Sequence, residues 1–171
     1  MNERGKRYEL VSIGHVRRAG KEITLEILEP YRPGLKQLDH FSHVMVLWWA
    51  DQMDDDQHRT IMQCRPPYAA DKVTGVFACR SEYRPNPIAV TTCAVEGLDL
   101  EGGIVRLENI DAVDGTPIVD LKGYFPVLDR VREASIPEWL EGWPEWVPLG
   151  GIGLEVYEEQ GFLIKNRRTT A

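Results

Sequence analysis

Long apolar runs are missing from this 171-residue chain. The longest, Val44 to Ala50 (VMVLWWA), is far short of the ~20 residues a membrane-crossing helix needs, and it reads instead as a strand buried on both faces. Cysteine is scarce: Cys64, Cys79 and Cys93 are odd in number, and no Cys-x-x-Cys pair occurs. That argues for reduced, buried thiols in a reducing compartment. No Gly-x-Gly-x-x-Gly follows a strand-like run, so the doubly wound nucleotide-binding signature is absent. No Gly-x-Ser-x-Gly elbow supports a nucleophile assembled from Ser42, His43 and Asp51. An excess of basic charge is lacking too. The 20 Lys and Arg stand against 27 Asp and Glu, a net charge of −7, so the chain as a whole exerts no long-range pull on nucleic acid. The first residues, MNERGKRYEL, carry charge with no apolar segment after them, which argues against a secretory signal and for a cytoplasmic protein.

What is present is a series of short strand-like runs in a chain that is 43% hydrophobic. Tyr8 to Val16 alternates in part. Glu22 to Glu29 alternates strictly, with Ile23, Leu25 and Ile27 facing one way and Glu22, Thr24 and Glu26 the other. Asp51 to Gln63 is the best helix candidate, because Asp54 to Asp56 suit the N-terminal end of a helix dipole. Lys72 to Arg80 reads as a strand, and Ile88 to Leu98 with Ile104 to Val113 as a hairpin turned by EGG. A sharp turn and a short strand follow Asp114, then an acidic Trp-rich segment, then a terminal hairpin from Gly151. The expected fold class is mainly β, a single-sheeted β-barrel with few short helices and a C-terminal hairpin extension. One domain over 1–171 is expected, with a barrel core over 8–130 and a Trp-rich segment and hairpin over 131–171 that offer a dimer contact.

Two loops are candidates for chemistry. In RSEYRPNPIAV, Arg80 to Val90, Pro85 and Pro87 restrict the backbone around Arg84 and Asn86. The segment is either a rigid connector with surface arginines or a turn pre-organised for a ligand. In DAVDGTP, Asp111 to Pro117, Asp-Gly makes a tight turn, Thr116 can bond the turn's own backbone, and Asp114 can accept from ligand hydroxyls or an amine. His40 and His43 stand three apart but have no acidic or cysteine partner at a metal-binding spacing, so no metal is expected. Trp139, Trp143 and Trp146 suit packing on the domain or a second subunit better than stacking on a base, since their acidic neighbours repel a phosphate backbone.

LEPYRPGLKQLDHFSHVMVLWWAD, GVFACRSEYRPNPIAV and IDAVDGTPIVDLKGYFPVLD occur in this order, and together they resemble the TrmO (TsaA-like) family from about Tyr8 to Arg130. The resemblance implies a single-sheeted barrel, a homodimer, and an S-adenosylmethionine-dependent methyltransferase. The implied acceptor is the N(6) nitrogen of threonylcarbamoyladenosine beside the tRNA anticodon. A small-molecule acceptor, or an S-adenosylmethionine-binding barrel without catalysis, are the alternatives. Motif by motif, Arg80 corresponds to the cofactor-contacting arginine, Val90 to a pocket-lining position, and Val113, Asp114, Gly115 and Thr116 to a second wall. Asp51 and Gln52 stand where the family often has a histidine and a polar neighbour. Arg84 and Asn86 complete the set. The family's Pro-Arg-Gln-type segment between the first two strands is absent from VRRAGKE, where Arg17 and Arg18 stand instead, and Ala89 replaces a usual glycine. Asp120, Glu82 and Tyr83 lie near the motifs, and none is distinguished as the base.

Overall fold

A computed structural model describes residues 6–154. Eight strands run in chain order: β1 Gly14–Ala19, β2 Glu22–Ile27, β3 His43–Trp49, β4 Gln63–Cys64, β5 Thr74–Gly75, β6 Ile88–Asp99, β7 Ile104–Leu107 and β8 Pro117–Gly123. Six of them close a barrel in the order β1-β2-β7-β6-β3-β8, every neighbouring pair antiparallel, while β4 and β5 form a separate small ribbon. Closing the sheet removes the edge strands that an open sheet leaves unpaired. The helical content is short, with α1 Asp56–Arg59, α2 Pro126–Asp129 and several 3₁₀ turns. The expected mainly β barrel is therefore the fold, and the terminal hairpin lies largely outside the described residues.

Strict alternation in β2 does what its pattern requires. Ile23, Leu25 and Ile27 enter the core with Val16, Val44, Val46, Val105 and Ile118. Trp48 is also inside, where its Nε1 donates to Thr91 Oγ1 at 3.1 Å, so the indole N–H is satisfied on burial. At the barrel seam a side chain has no room: a Cβ on Gly14 would come within 2.4 Å of the Glu26 carbonyl oxygen. β1 meets β8 through only Gly14↔Ile118 and His15↔Pro117. Ile13 N donating to Ile118 O and Val16 N to Thr116 O extend that seam by one bond on each side.

Several segments depart from their sequence patterns. Tyr8 to Ile13 forms no strand, and Tyr8, Leu10 and Val11 are exposed; the sheet begins only at Gly14. β3 is buried on one face, not both: Val44, Val46 and Trp48 point inward, and His43, Met45, Leu47 and Trp49 are half-exposed on the outside. An apolar run without polar alternation cannot signal which of its faces has a partner. The helix expected over Asp51 to Gln63 reduces to a 3₁₀ turn Asp51–Met53 and the four-residue α1. Asp55 caps α1 by accepting from His58 N, and Thr60-Ile61, β-branched and weakly helical, follows at once. The strand expected over Lys72 to Arg80 is only the two residues of β5, followed by a 3₁₀ turn at Val76–Ala78. The second hairpin arm ends at Leu107, and the chain to Val113 is loop.

Candidate functional site

At one mouth of the barrel, three loops meet. The end of β3 brings Asp51 and Gln52, the proline turn brings Glu82, and the Asp-Gly turn brings Asp111, Val113 and Thr116 to a crevice of about 40 Å³ with Trp48, Met53 and Leu154. Hydrogen bonds hold the proline turn against the end of β3 and the segment after it. Ala50 N donates to Pro87 O at 2.8 Å, which ties the proline turn to the strand end, and Arg59 Nη1 donates to Pro85 O at 3.3 Å. Ile88 N closes back on Asn86 O at 2.7 Å, leaving Asn86 exposed at the turn's tip. Tyr83 stacks on His58 with centroids 5.0 Å apart, so its ring braces the turn.

The two arginines of the motif do different work. Arg84 is spent on its own loop: Nε donates to Ser81 O at 2.7 Å, and Nη2 donates to Val76 O at 2.8 Å and Cys79 O at 2.9 Å. Arg80 is exposed, and among the described residues its guanidinium makes no hydrogen bond or ion pair. Its backbone N–H donates to the Tyr68 hydroxyl, whose acidity burial suppresses. Tyr68 in turn packs on Trp139 (6.2 Å, 11° between ring planes) and Trp143 (5.0 Å, 68°). Two of the three C-terminal tryptophans thus pack on the domain, and through Tyr68 they steady the start of the arginine loop. The sequence alone did not single out Tyr68; an isolated tyrosine in RPPYAA carries no signal of its partners.

The Asp-Gly turn is held against β1. Gly115, at φ 82°, adopts the left-handed conformation that glycine favours, and its N–H donates to Val16 O at 2.8 Å. Asp114 accepts from Arg18 N at 2.8 Å and from Arg17 Nη1 at 3.3 Å, so its carboxylate caps the strand. Arg18 reaches back along the same loop, its Nε donating to Ala112 O at 2.7 Å and its Nη2 to Ile110 O. Asp114, Arg17 and Arg18 are therefore structural partners of one another. Val90 stands apart from the crevice, 40% exposed on the outer face of β6 opposite Leu47. Asp120, paired with Lys122 at 2.6 Å, lines a larger cavity of about 380 Å³ near Phe41 and Tyr31 at the other end of the barrel. Of the three base candidates, Glu82 is the one in the crevice.

A small acid-linked cluster supports the turn from outside. Hydrogen bonds from Arg59 and then Trp49 hold the Asp54 carboxyl below its ordinary acidity range, and the same Arg59 bonds Pro85 O. A carboxyl depressed on folding stabilises the fold fully above its unfolded value, and that contribution fades as pH falls through the folded value. Wild type should accordingly be more resistant to urea than Asp54→Asn at pH 7, with the gap closing on acidification below the usual aspartate value of about 4. A gap that persisted unchanged in acid would show that the carboxylate charge is not what holds Arg59.

Ser42 Oγ lies 2.9 Å from His43 Nδ1, but Asp51 follows the far end of β3, a strand of seven residues, so no Ser-His-Asp site forms. Among the described residues no group of three or more His, Cys, Asp or Glu could hold a metal ion, and no helix is long and apolar enough to cross a membrane. Cys93 is buried in the core, and burial pushes its thiol up to about 12, which makes it inert at neutral pH.

These features define a small closed antiparallel barrel with a crevice at one mouth that is lined by Asp51, Glu82 and Asp111; Arg80, two positions before Glu82, is not among its lining residues. The chain belongs to the tRNA-methyltransferase O N-terminal domain family, which it matches over residues 14–130. It is 38% identical over 128 residues to a protein of Archaeoglobus fulgidus named a probable S-adenosyl-L-methionine-binding protein, covering 74% of this chain and 33% of that one. It is 34% identical over 119 residues to the tRNA (adenine(37)-N6)-methyltransferase of Mus musculus, covering 70% of this chain and 27% of that one. The crystal structure of TrmO from Pseudomonas aeruginosa superposes with a TM-score of 0.61 at 27% identity, covering 80% of this chain and 63% of that one. The chain thus spans a third of the archaeal relative and under two thirds of the solved TrmO chain.

Proposed function

We propose that the chain is an S-adenosylmethionine-dependent methyltransferase acting in the cytoplasm on tRNA, at the N(6) nitrogen of threonylcarbamoyladenosine beside the anticodon. The observation that carries this reading is the division of labour in the proline turn. Arg84 makes the loop rigid from within, and Arg80 presents an unpaired guanidinium at its edge. Family membership and the names of the relatives supply the ligand class.

The donor set suits the cofactor. A guanidinium pairs with a carboxylate in two parallel hydrogen bonds, which Arg80 is free to make. Asp51, Glu82 and Asp111 give the crevice a negative lining, favourable to a sulfonium and an amino group. Trp48, Val113 and Leu154 offer apolar contact. A pocket for a ligand of this size spans roughly 300 Å³ or more, and the crevice of one chain is about 40 Å³, so we assign the second wall to another copy of the chain. The outward strip Leu47, Trp49, Ile88 and Val90, apolar and partly exposed, is a suitable face for that copy, and it gives Val90 a role at the pocket rim. The larger cavity at the opposite end, lined by Lys36 and Asp120 among others, contains none of the residues that the resemblance assigns to the cofactor.

When bound, S-adenosylmethionine supplies an activated methyl group, the chemistry a protein side chain cannot provide. The chain's part is alignment and a dry site. Asp51 and Gln52 border the crevice beside Glu82, and Glu82 is the carboxylate we assign to take the proton from the acceptor nitrogen. The acidic lining and the net charge of −7 favour one second reading, a small acceptor in place of tRNA.

Calorimetric titration with S-adenosylmethionine, with ATP as control, is the first test. Saturable binding of the former alone is expected, followed by transfer of labelled methyl to tRNA carrying threonylcarbamoyladenosine. Label appearing only on small acceptors would replace the tRNA reading with the second one. Folded protein that fails to bind the cofactor with or without tRNA would overturn both.

A further inference from the structure

We propose that Cys64 and Cys79 form a reversible thiol–disulfide pair, a modification site built into the base of the arginine loop. The fold sorts the three cysteines into two kinds. Cys93 is alone in the barrel core. Cys64 ends β4 and Cys79 follows the Val76–Ala78 turn, and although fifteen positions separate them in sequence, their sulfurs lie 3.4 Å apart. A disulfide needs about 2.05 Å, so little more than an ångström of approach is required, within the reach of side-chain rotation. The β4–β5 ribbon holds the two segments side by side, with Thr74 Oγ1 3.9 Å from Cys64 Sγ. Cys79 is 7% exposed and Cys64 is half-buried, so Cys64 is the sulfur that a small molecule reaches first.

The oxidant is a low-molecular-weight disulfide. The Cys64 thiolate attacks one of its sulfurs, expelling one thiolate and leaving a mixed disulfide on Cys64. The Cys79 thiolate then attacks the Cys64 sulfur and expels the second. Two protein thiols are oxidised, the small disulfide is reduced to two thiols, and the two protons lost by the cysteines go to the released thiolates. Burial raises the Cys64 thiol above its ordinary value, which slows the first attack at neutral pH.

The position of the pair links it to ligand binding. Cys79 O and Val76 O are two of the three carbonyls that anchor Arg84, Cys79 Sγ lies 3.7 Å from Val76 O, and Arg80 is the next residue along. Rotating the Cys79 sulfur toward Cys64 takes it from its contact with Val76 O, a carbonyl that also anchors Arg84, and so disturbs the support of the loop that carries Arg80. This consequence rests on the cofactor reading above; the bridge itself does not.

The test uses the full chain, equilibrated with oxidised glutathione, alkylated and digested with trypsin. Cleavage after Arg59, Lys72 and Arg80, with Arg65-Pro66 resistant, gives the peptides Thr60 to Lys72 and Val73 to Arg80. They should be recovered joined, separate on reduction, and leave Cys93 as the sole free thiol. All three thiols remaining free, or glutathione retained on Cys64 with no joined peptides, would overturn the proposal. Titration of the reduced and bridged forms with S-adenosylmethionine reads the second half, with affinity expected to fall by roughly fivefold on bridging and to recover with reductant. Equal affinities would overturn the regulatory role and leave the bridge. No binding by either form would overturn the cofactor reading instead, whatever the peptide map showed.

Discussion

Replacing Arg80 by alanine is expected to weaken S-adenosylmethionine binding by roughly tenfold to a hundredfold, the worth of a hydrogen-bonded charge pair. The same change should leave thermal stability where it was, because an exposed side chain without a hydrogen-bonded partner among the described residues contributes within about 0.5 kcal/mol. Both halves follow from one geometry. The Arg80 backbone is held by Tyr68, but its guanidinium makes no hydrogen bond or ion pair among the described residues. Arg80→Lys should recover part of the loss, since an ammonium keeps the charge and loses the planar two-point contact. Calorimetry and a thermal melt on the same samples separate the terms. Unchanged affinity in Arg80→Ala would remove this residue from the site.

Arg84→Ala should lower stability as well as binding, with a larger total effect. Three backbone carbonyls lose their donor at once, at a cost of about 2–3 kcal/mol in stability. Cofactor binding should fall as well, at least as far as for Arg80→Ala, because the loop that presents Arg80 is no longer fixed. Arg84→Lys should rescue little, since one ammonium cannot replace donors directed at Ser81, Val76 and Cys79 together. The decisive comparison is between the two arginines: a melt lowered only by the Arg84 substitution, with binding lowered by both. If Arg84→Ala melted like wild type and bound like wild type, the prolines alone would be sufficient to shape the turn.

The difference between these arginines was not legible in the sequence. Both sit in one motif, four residues apart, and their spacing says nothing about which turns inward. The barrel class was legible because alternation in Glu22 to Glu29 and the Ile88 hairpin reflect a sheet with one face in the core. Burial of β3 was misjudged because VMVLWWA is apolar on both faces while only Val44, Val46 and Trp48 are enclosed. The helix after Asp51 and the strand before Arg80 failed for a shared reason. Asp55 caps α1 and Arg59 bonds Pro85 O, while Val76 N donates to Met62 O and Arg84 donates to Val76 O and Cys79 O, and those partners outweigh propensity in segments this short. Asp114 looked like a ligand carboxylate, yet its partner in β1 is nearly the whole barrel away in sequence. Convergence of Cys64 on Cys79 was hidden likewise, since the scattered spacing of the three thiols is uninformative until the ribbon forms.

The order of strands around the barrel sets a timetable for the nascent chain. β1 and β2 leave the ribosome first and can pair with each other at once, but β2 must wait for β7 and β1 for β8, each most of the barrel's sequence later. Until then the hairpin has two open edges, with Ile23, Leu25 and Ile27 uncovered. Such non-local pairing makes for slow folding and leaves time for self-association. The charges at Arg17, Arg18, Glu22 and Glu26 on this hairpin are thus placed where they can keep the waiting edges soluble, a service rendered before there is any site to support.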